Sequence, residues 1–183
     1  MLGVFIASIL WGTTGTAATF APELSPLAVG AVAMGIGGLL QAAIALRAIC
    51  AQRHAIAQQR YFLLTGALAV AVYPLAFYAS MHLAGVAVGT VIFIGSAPLL
   101  YALIEYFCAG QRLSRRWMLG AAVGVAGMVL LTSAENHGAA SGADSNRSLT
   151  GILLGLVAGF TYALYSWSAR QIMQKGIAGR AAM

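Results

Sequence analysis

Glu105 is the one acid that falls inside a long apolar run of this chain, and it sets the chemistry to look for. A carboxylate at the centre of a membrane-crossing helix costs about 2.5–3.5 kcal/mol on insertion scales, so it must face protein or water. At helical spacing Pro98, Tyr101, Glu105 and Cys108 share one stripe, with Thr90 further along it. On one reading Glu105 is a proton or amine site. On the other, it stands only a turn from the helix end and pairs with a loop arginine such as Arg112. Pro98 lacks the N–H that would bond to the Ile94 carbonyl, and a freed carbonyl at membrane depth survives only against protein or a wet cavity.

Tyr73-Pro74 repeats that device earlier in the chain, where Tyr73, Phe77 and Ser80 form a second stripe. Aromatic side chains in mid-run offer an apolar face and a polar tip, which suits the wall of a cavity for an amphipathic solute. Trp11 with Thr14, Tyr73, Phe77, Pro98, Tyr101, Tyr162 and Tyr165 are therefore the candidate substrate-binding residues, beside Glu105. Ordinary helix packing is the competing explanation for each ring. Tyr61, Tyr106 and Trp117 lie near run ends and read as interfacial anchors, and His82 as a surface histidine.

No enzymatic signature accompanies these residues. There is no H-E-x-x-H, no G-x-S-x-G, no phosphate-binding glycine loop and no Cys/His cluster at metal-ligand spacing. Lone Glu105 supplies neither an acid pair nor a nucleophile with a base. The expectation is a protein that is not an enzyme and needs no metal or cofactor.

The elements that must position these side chains follow from composition. With 61% hydrophobic residues, 8% charged residues and a mean hydropathy of +0.87, the 183-residue chain cannot cover a water-soluble surface. Its formal net charge of +6 sits in short clusters between apolar runs, which argues against nucleic acid as a partner and for the lipid bilayer. Cys50 and Cys108 fall near the ends of different runs and predict no disulfide framework. Residues 1–21 lack the charged n-region of a signal peptide and read as a first span.

Six spans are expected, at about 2–21, 27–47, 62–82, 86–107, 116–133 and 150–172. The break Pro22-Glu23-Leu24-Ser25-Pro26 makes the first two a hairpin. Nine of the ten Lys and Arg residues fall on one side: Arg47, Arg53 and Arg60, then Arg112, Arg115 and Arg116, then Arg170, Lys175 and Arg180. By the positive-inside bias that side is cytoplasmic, and the N-terminus lies there too. Arg147 falls outside with Glu23, Glu135 and Asp144. Residues 134–148 have the composition of a flexible linker and contain a chance-level sequon at Asn146. Glycines four apart, at Gly85/Gly89, Gly120/Gly124 and Gly151/Gly155/Gly159, predict close helix packing.

The run from Val86 to Leu131 carries a family resemblance. A helix with mid-span Ser96-Ala97-Pro98-Leu99, the turn Gly110-Gln111-Arg112-Leu113-Ser114 and a following W-x-x-G-x-x-x-G-x-x-G helix resemble the end of an EamA-type repeat of the drug/metabolite transporter superfamily. The family's turn usually carries an acid where Gln111 stands. Such proteins have ten spans in two inverted five-helix repeats. The resemblance thus implies an all-α, polytopic transmembrane helix bundle with about six of ten spans: a first repeat over 1–133, an external Gly/Ser-rich linker over 134–149, and the first helix of a second repeat over 150–183. An odd number of spans per repeat inverts the second copy, the arrangement that supports alternating access around a midplane site. The function it implies is transport, as an exporter of small organic solutes such as amino acids or related metabolites, in the inner membrane. The alternative is a non-transporting fragment, or a half-transporter that needs a missing second repeat or a second chain. An intramembrane enzyme or a passive channel is a weaker third reading.

Overall fold

The computed structural model describes residues 2–20, 23–110, 113–136 and 142–183. Every regular element among them is a helix: α1 (Leu2–Gly12), α2 (Thr14–Thr19), α3 (Pro26–Gln58), α4 (Arg60–Ala84), α5 (Val86–Ala109), α6 (Arg115–Asn136), α7 (Gly142–Gln174) and α8 (Gly179–Ala182). The all-α expectation holds. Five helices are long and apolar enough to cross a membrane: Pro26–Gln58, Arg60–Ala84, Val86–Ala109, Arg115–Ala134 and Asn146–Gln174. The chain is a polytopic helix bundle.

Three boundaries differ from the sequence reading for identifiable reasons. The first expected span is divided at Thr13 into α1 and α2, although Thr13 keeps helical dihedrals (φ −86°, ψ −7°) and its backbone bonds to Ile9 and Ala17 persist. The hydroxyls of Thr13 and Thr14 both donate to the Leu10 carbonyl, at 2.9 and 3.1 Å, the back-bonding that loosens a helical turn. The second expected span ends at residue 47, but α3 runs for 33 residues, roughly 50 Å, and only Gln59 separates it from α4. The polar stretch after Arg47 contains no proline or glycine to stop a helix, so the helix continues past the hydrocarbon depth. The expected linker is also shorter, because α6 continues to Asn136 and α7 starts at Gly142, ahead of Asn146. The remainder of that linker, with Pro22, Gln111 and Arg112, lies outside the described residues.

Local chemistry sets the other ends. Pro26 occupies the first turn of α3, and Ser25 Oγ accepts from the Ala28 N–H at 3.2 Å, a proline-start, serine-capped helix. Gly85, at φ +89°, turns α4 into α5, and Gly110, at φ +63°, closes α5 in the left-handed region with its N–H on the Tyr106 carbonyl.

Packing centres on α7. Its neighbour α4 runs antiparallel: a Cβ placed on Gly151 would meet Ala84 at 2.6 Å, one on Gly155 would meet Ser80 Oγ at 2.9 Å, and Gly66 faces Ser168. Helix α5 runs parallel to α7, since Gly155 also faces Ile92 and Gly159 faces Phe93, Ser96 and Ala97. The small-residue stripe of α7 therefore does what its spacing predicts and lets three backbones approach. Gly89 fits against Met81 in the α4–α5 hairpin, while Gly120 and Gly124 have nothing within 4 Å, so the packing expected of the α6 pair is not made. Phe93 is the hub, 1% exposed, with Ala76, Phe77, Tyr78, Met81 and Ala158 around it.

These directions bring the basic residues together. The C-terminal ends of α3, α5 and α7 and the N-terminal end of α4 share one end of the bundle: the Gln52 side chain accepts from the Ala178 N–H at 2.9 Å and donates to the Gly176 carbonyl at 3.4 Å, and Phe62 meets Trp167 edge-on at 5.4 Å. Arg47 and Arg180 line a common recess there.

Candidate functional site: an aromatic cleft beside an ion pair

The inner turns of α5 and α7 project rings toward one another because Gly159 and Ala163 hold their backbones close. Tyr162 stands among Trp11 (5.6 Å between centroids), Tyr73 (5.5 Å) and Phe93 (5.6 Å), with edge-to-face geometry to the last two. Trp11 also meets Phe93 edge-on at 6.2 Å, and Tyr73 lies parallel to Phe93 at 6.1 Å. Offset and edge-on arrangements are those that the ring quadrupoles favour.

Between α1, α5 and α7 these rings leave a cleft of about 270 Å³, lined by Trp11, Phe93, Pro98, Tyr101, Tyr162 and Ser166 among others. Ile94 and Pro98 are both exposed and share its wall, so the cleft opens where the proline removes the hydrogen bond to the Ile94 carbonyl. Pro74 behaves differently. It is buried, and its carbonyl lies 3.0 Å from where a Gly30 Cβ would sit, so it belongs to the α3–α4 contact.

At the basic end of the cleft the Arg170 guanidinium on α7 forms an ion pair with Glu105 on α5. Arg170 Nη1 also donates to the Tyr101 hydroxyl at 3.0 Å, and that hydroxyl donates to Glu105 Oε1 at 3.3 Å. The Glu105 side chain is 16% exposed and that of Arg170 40% exposed. Arg112, the loop arginine of the sequence reading, lies outside the described residues, while Glu105 is thus paired across the bundle. Its described partner is Arg170, which stands 65 residues away in sequence at the matching depth of the parallel helix.

The structure gathers Trp11, Pro98, Tyr101 and Tyr162 on the cleft and places Tyr73 and Phe77 behind it, Phe77 reaching Phe93 at 4.7 Å. Glu105 stands beside it, joined to its wall through the Tyr101 hydroxyl. Tyr165 is 6.3 Å from Tyr162 but lines a different cleft, with Phe62, Gly66 and Ile172. Thr14 spends its hydroxyl on the Leu10 carbonyl, and Cys108 is an exposed free thiol, as is Cys50. His82 is exposed, on a separate cleft of about 380 Å³ with Gly15, Tyr78 and Met81. Two contributors escaped the sequence reading. Phe93 stands one helical turn and one residue before Pro98, a spacing that could have placed it near the stripe, whereas nothing local marks Arg170 as the partner of Glu105.

A membrane helix bundle with an aromatic, charge-tipped cleft between its helices has the form of a solute-handling membrane protein. Comparison with known proteins specifies the class. Residues 1–133 match the EamA-like transporter family. The chain is 32% identical over 174 residues to the uncharacterized transporter YwfM of Bacillus subtilis (strain 168), covering 94% of this chain and 56% of that protein. It therefore spans about half the length of the curated relative it matches. No solved structure matches. The chain belongs to the EamA-like transporter family.

Proposed function

We propose that this chain carries a small organic solute across the inner membrane by alternating access, as an exporter of amino acids or related metabolites, with its N-terminus in the cytoplasm. The observation behind this reading is the position of the cleft. It lies between α1 and α5, which belong to residues 1–133, and α7, which follows them. A site at the junction of two successive units is where relative motion of those units exposes a solute first to one side and then to the other. On this reading residues 1–133 are a first repeat and α7 begins a second. Trp11, Pro98, Tyr101 and Tyr162, with Phe93, form the binding wall, and Tyr73 and Phe77 buttress it; Thr14 and Tyr165 stand off this wall. The gathering of basic ends on one face supports a cytoplasmic assignment for that face.

Counter-flow in proteoliposomes tests the proposal. Trp11→Ala and Tyr162→Ala are expected to cut saturable, counter-flow-competent flux at least tenfold, with protein levels unchanged. Flux that survives both substitutions at the native rate means that the cleft is helix packing and no route for solute.

A further inference from the structure

We infer that the Glu105–Arg170 pair is a replaceable closure of the cleft, opened by a solute that carries both an ammonium and a carboxylate. The inference rests on the cleft being the transport site. In the structure each ion satisfies the other across the α5–α7 seam, and Tyr101, itself a wall of the cleft, touches both. Recognition and closure therefore share three side chains.

The charge balance selects the solute. A solute with an ammonium for Glu105 and a carboxylate for Arg170 can replace the internal pair and leave every charge partnered. A solute with one charge leaves either Glu105 or Arg170 without the partner it had, so it gains less from opening the pair than a solute that replaces both. A neutral solute has no means of separating the pair. Arg170 suits this exchange because both of its described polar contacts use Nη1, leaving Nε and Nη2 to take a planar carboxylate in the forked geometry of arginine. Both contacts to the carboxylate likewise use Glu105 Oε1. The 40% exposure of the Arg170 side chain makes it reachable.

The rest of the solute is read from the walls. Indole and phenol faces of Trp11 and Tyr162 offer stacking surface with little hydrogen bonding, and the volume of about 270 Å³ suits a small body with one ring or a branched apolar chain.

Isothermal titration of the native chain in lipid nanodiscs decides the matter with four probes that share one ring: phenylalanine, phenethylamine, 3-phenylpropionate and 3-phenylpropanol. Phenylalanine is expected to bind at least tenfold more tightly than each of the other three. Arg170→Gln should bring it down to the level of phenethylamine, and Glu105→Gln to that of 3-phenylpropionate. The native series needs no variant, so it stands even where a single substitution unfolds the protein. Equal binding of all four probes, abolished together by Trp11→Ala, overturns the exchangeable pair and leaves the cleft as the solute site. Binding of none overturns both.

Discussion

Helices α6 and α7 are both apolar and both carry glycines four residues apart, yet they pack very differently. Along α7, Gly151, Gly155, Ala158, Gly159, Ala163, Ser168, Ala169 and Ile172 are buried, whereas no part of the membrane-crossing stretch of α6 is, and its Leu119, Val123 and Leu130 are 69–73% exposed. The difference lies in what faces each stripe. Gly155 and Gly159 meet Ser80, Ser96 and Ala97, small residues that complete a notch on α4 and α5, while Gly120 and Gly124 meet nothing. A small-residue stripe is half of a recognition element, and the neighbour must supply the other half. Hydrocarbon tolerates the bare face of α6, since lipid tails are as apolar as its leucines. Helix α7, which packs against both α4 and α5, lies beyond residues 1–133, so the interior of this bundle is completed by a helix outside the matched segment.

Substitutions can break that contrast in graded fashion. Phe93→Ala empties the hub of the seam and is expected to cost about 3–5 kcal/mol, at the lower end in lipid, where burial gains packing but little hydrophobic transfer. Thermal unfolding of the purified chain in detergent measures it. Gly159→Leu should cost about 1–3 kcal/mol in the same assay, because its side chain would have to enter space held by Ser96 and the Phe93 carbonyl. Arg170→Gln should lower the midpoint by less than either, and the charge-swapped double variant Glu105→Arg/Arg170→Glu should recover most of the loss. Recovery of nothing would mean that the pair contributes no stability across the seam. Gly124→Leu on α6 should stay within about 0.5 kcal/mol of the parent. A loss as large as that of Gly159→Leu would show that α6 is packed in solution and would dissolve the comparison.

The sequence revealed the all-α bundle well because hydropathy is a local signal that the bilayer makes decisive. It showed less of how the helices meet. Trp11, Tyr101 and Tyr162 were legible as mid-span rings and Pro98 as a mid-span proline, and they do share a cleft. Tyr165 carried the same signal but lines another cleft, and Thr14, named beside Trp11, spends its hydroxyl on the Leu10 carbonyl, since a mid-span position does not say which neighbour a side chain meets. Arg170 was counted as one more basic residue after a span. Its role depends on α5 and α7 being parallel and in register, which no stretch of either helix states alone.

The two threonine hydroxyls on the Leu10 carbonyl have a mechanical consequence. An oxygen held by two side chains is not stripped bare in an oily surrounding when it lacks a backbone donor, which lowers the cost of flexing at Thr13. Trp11 lies just ahead of that joint and lines the cleft, so a bend there would move the indole relative to the walls on α5 and α7.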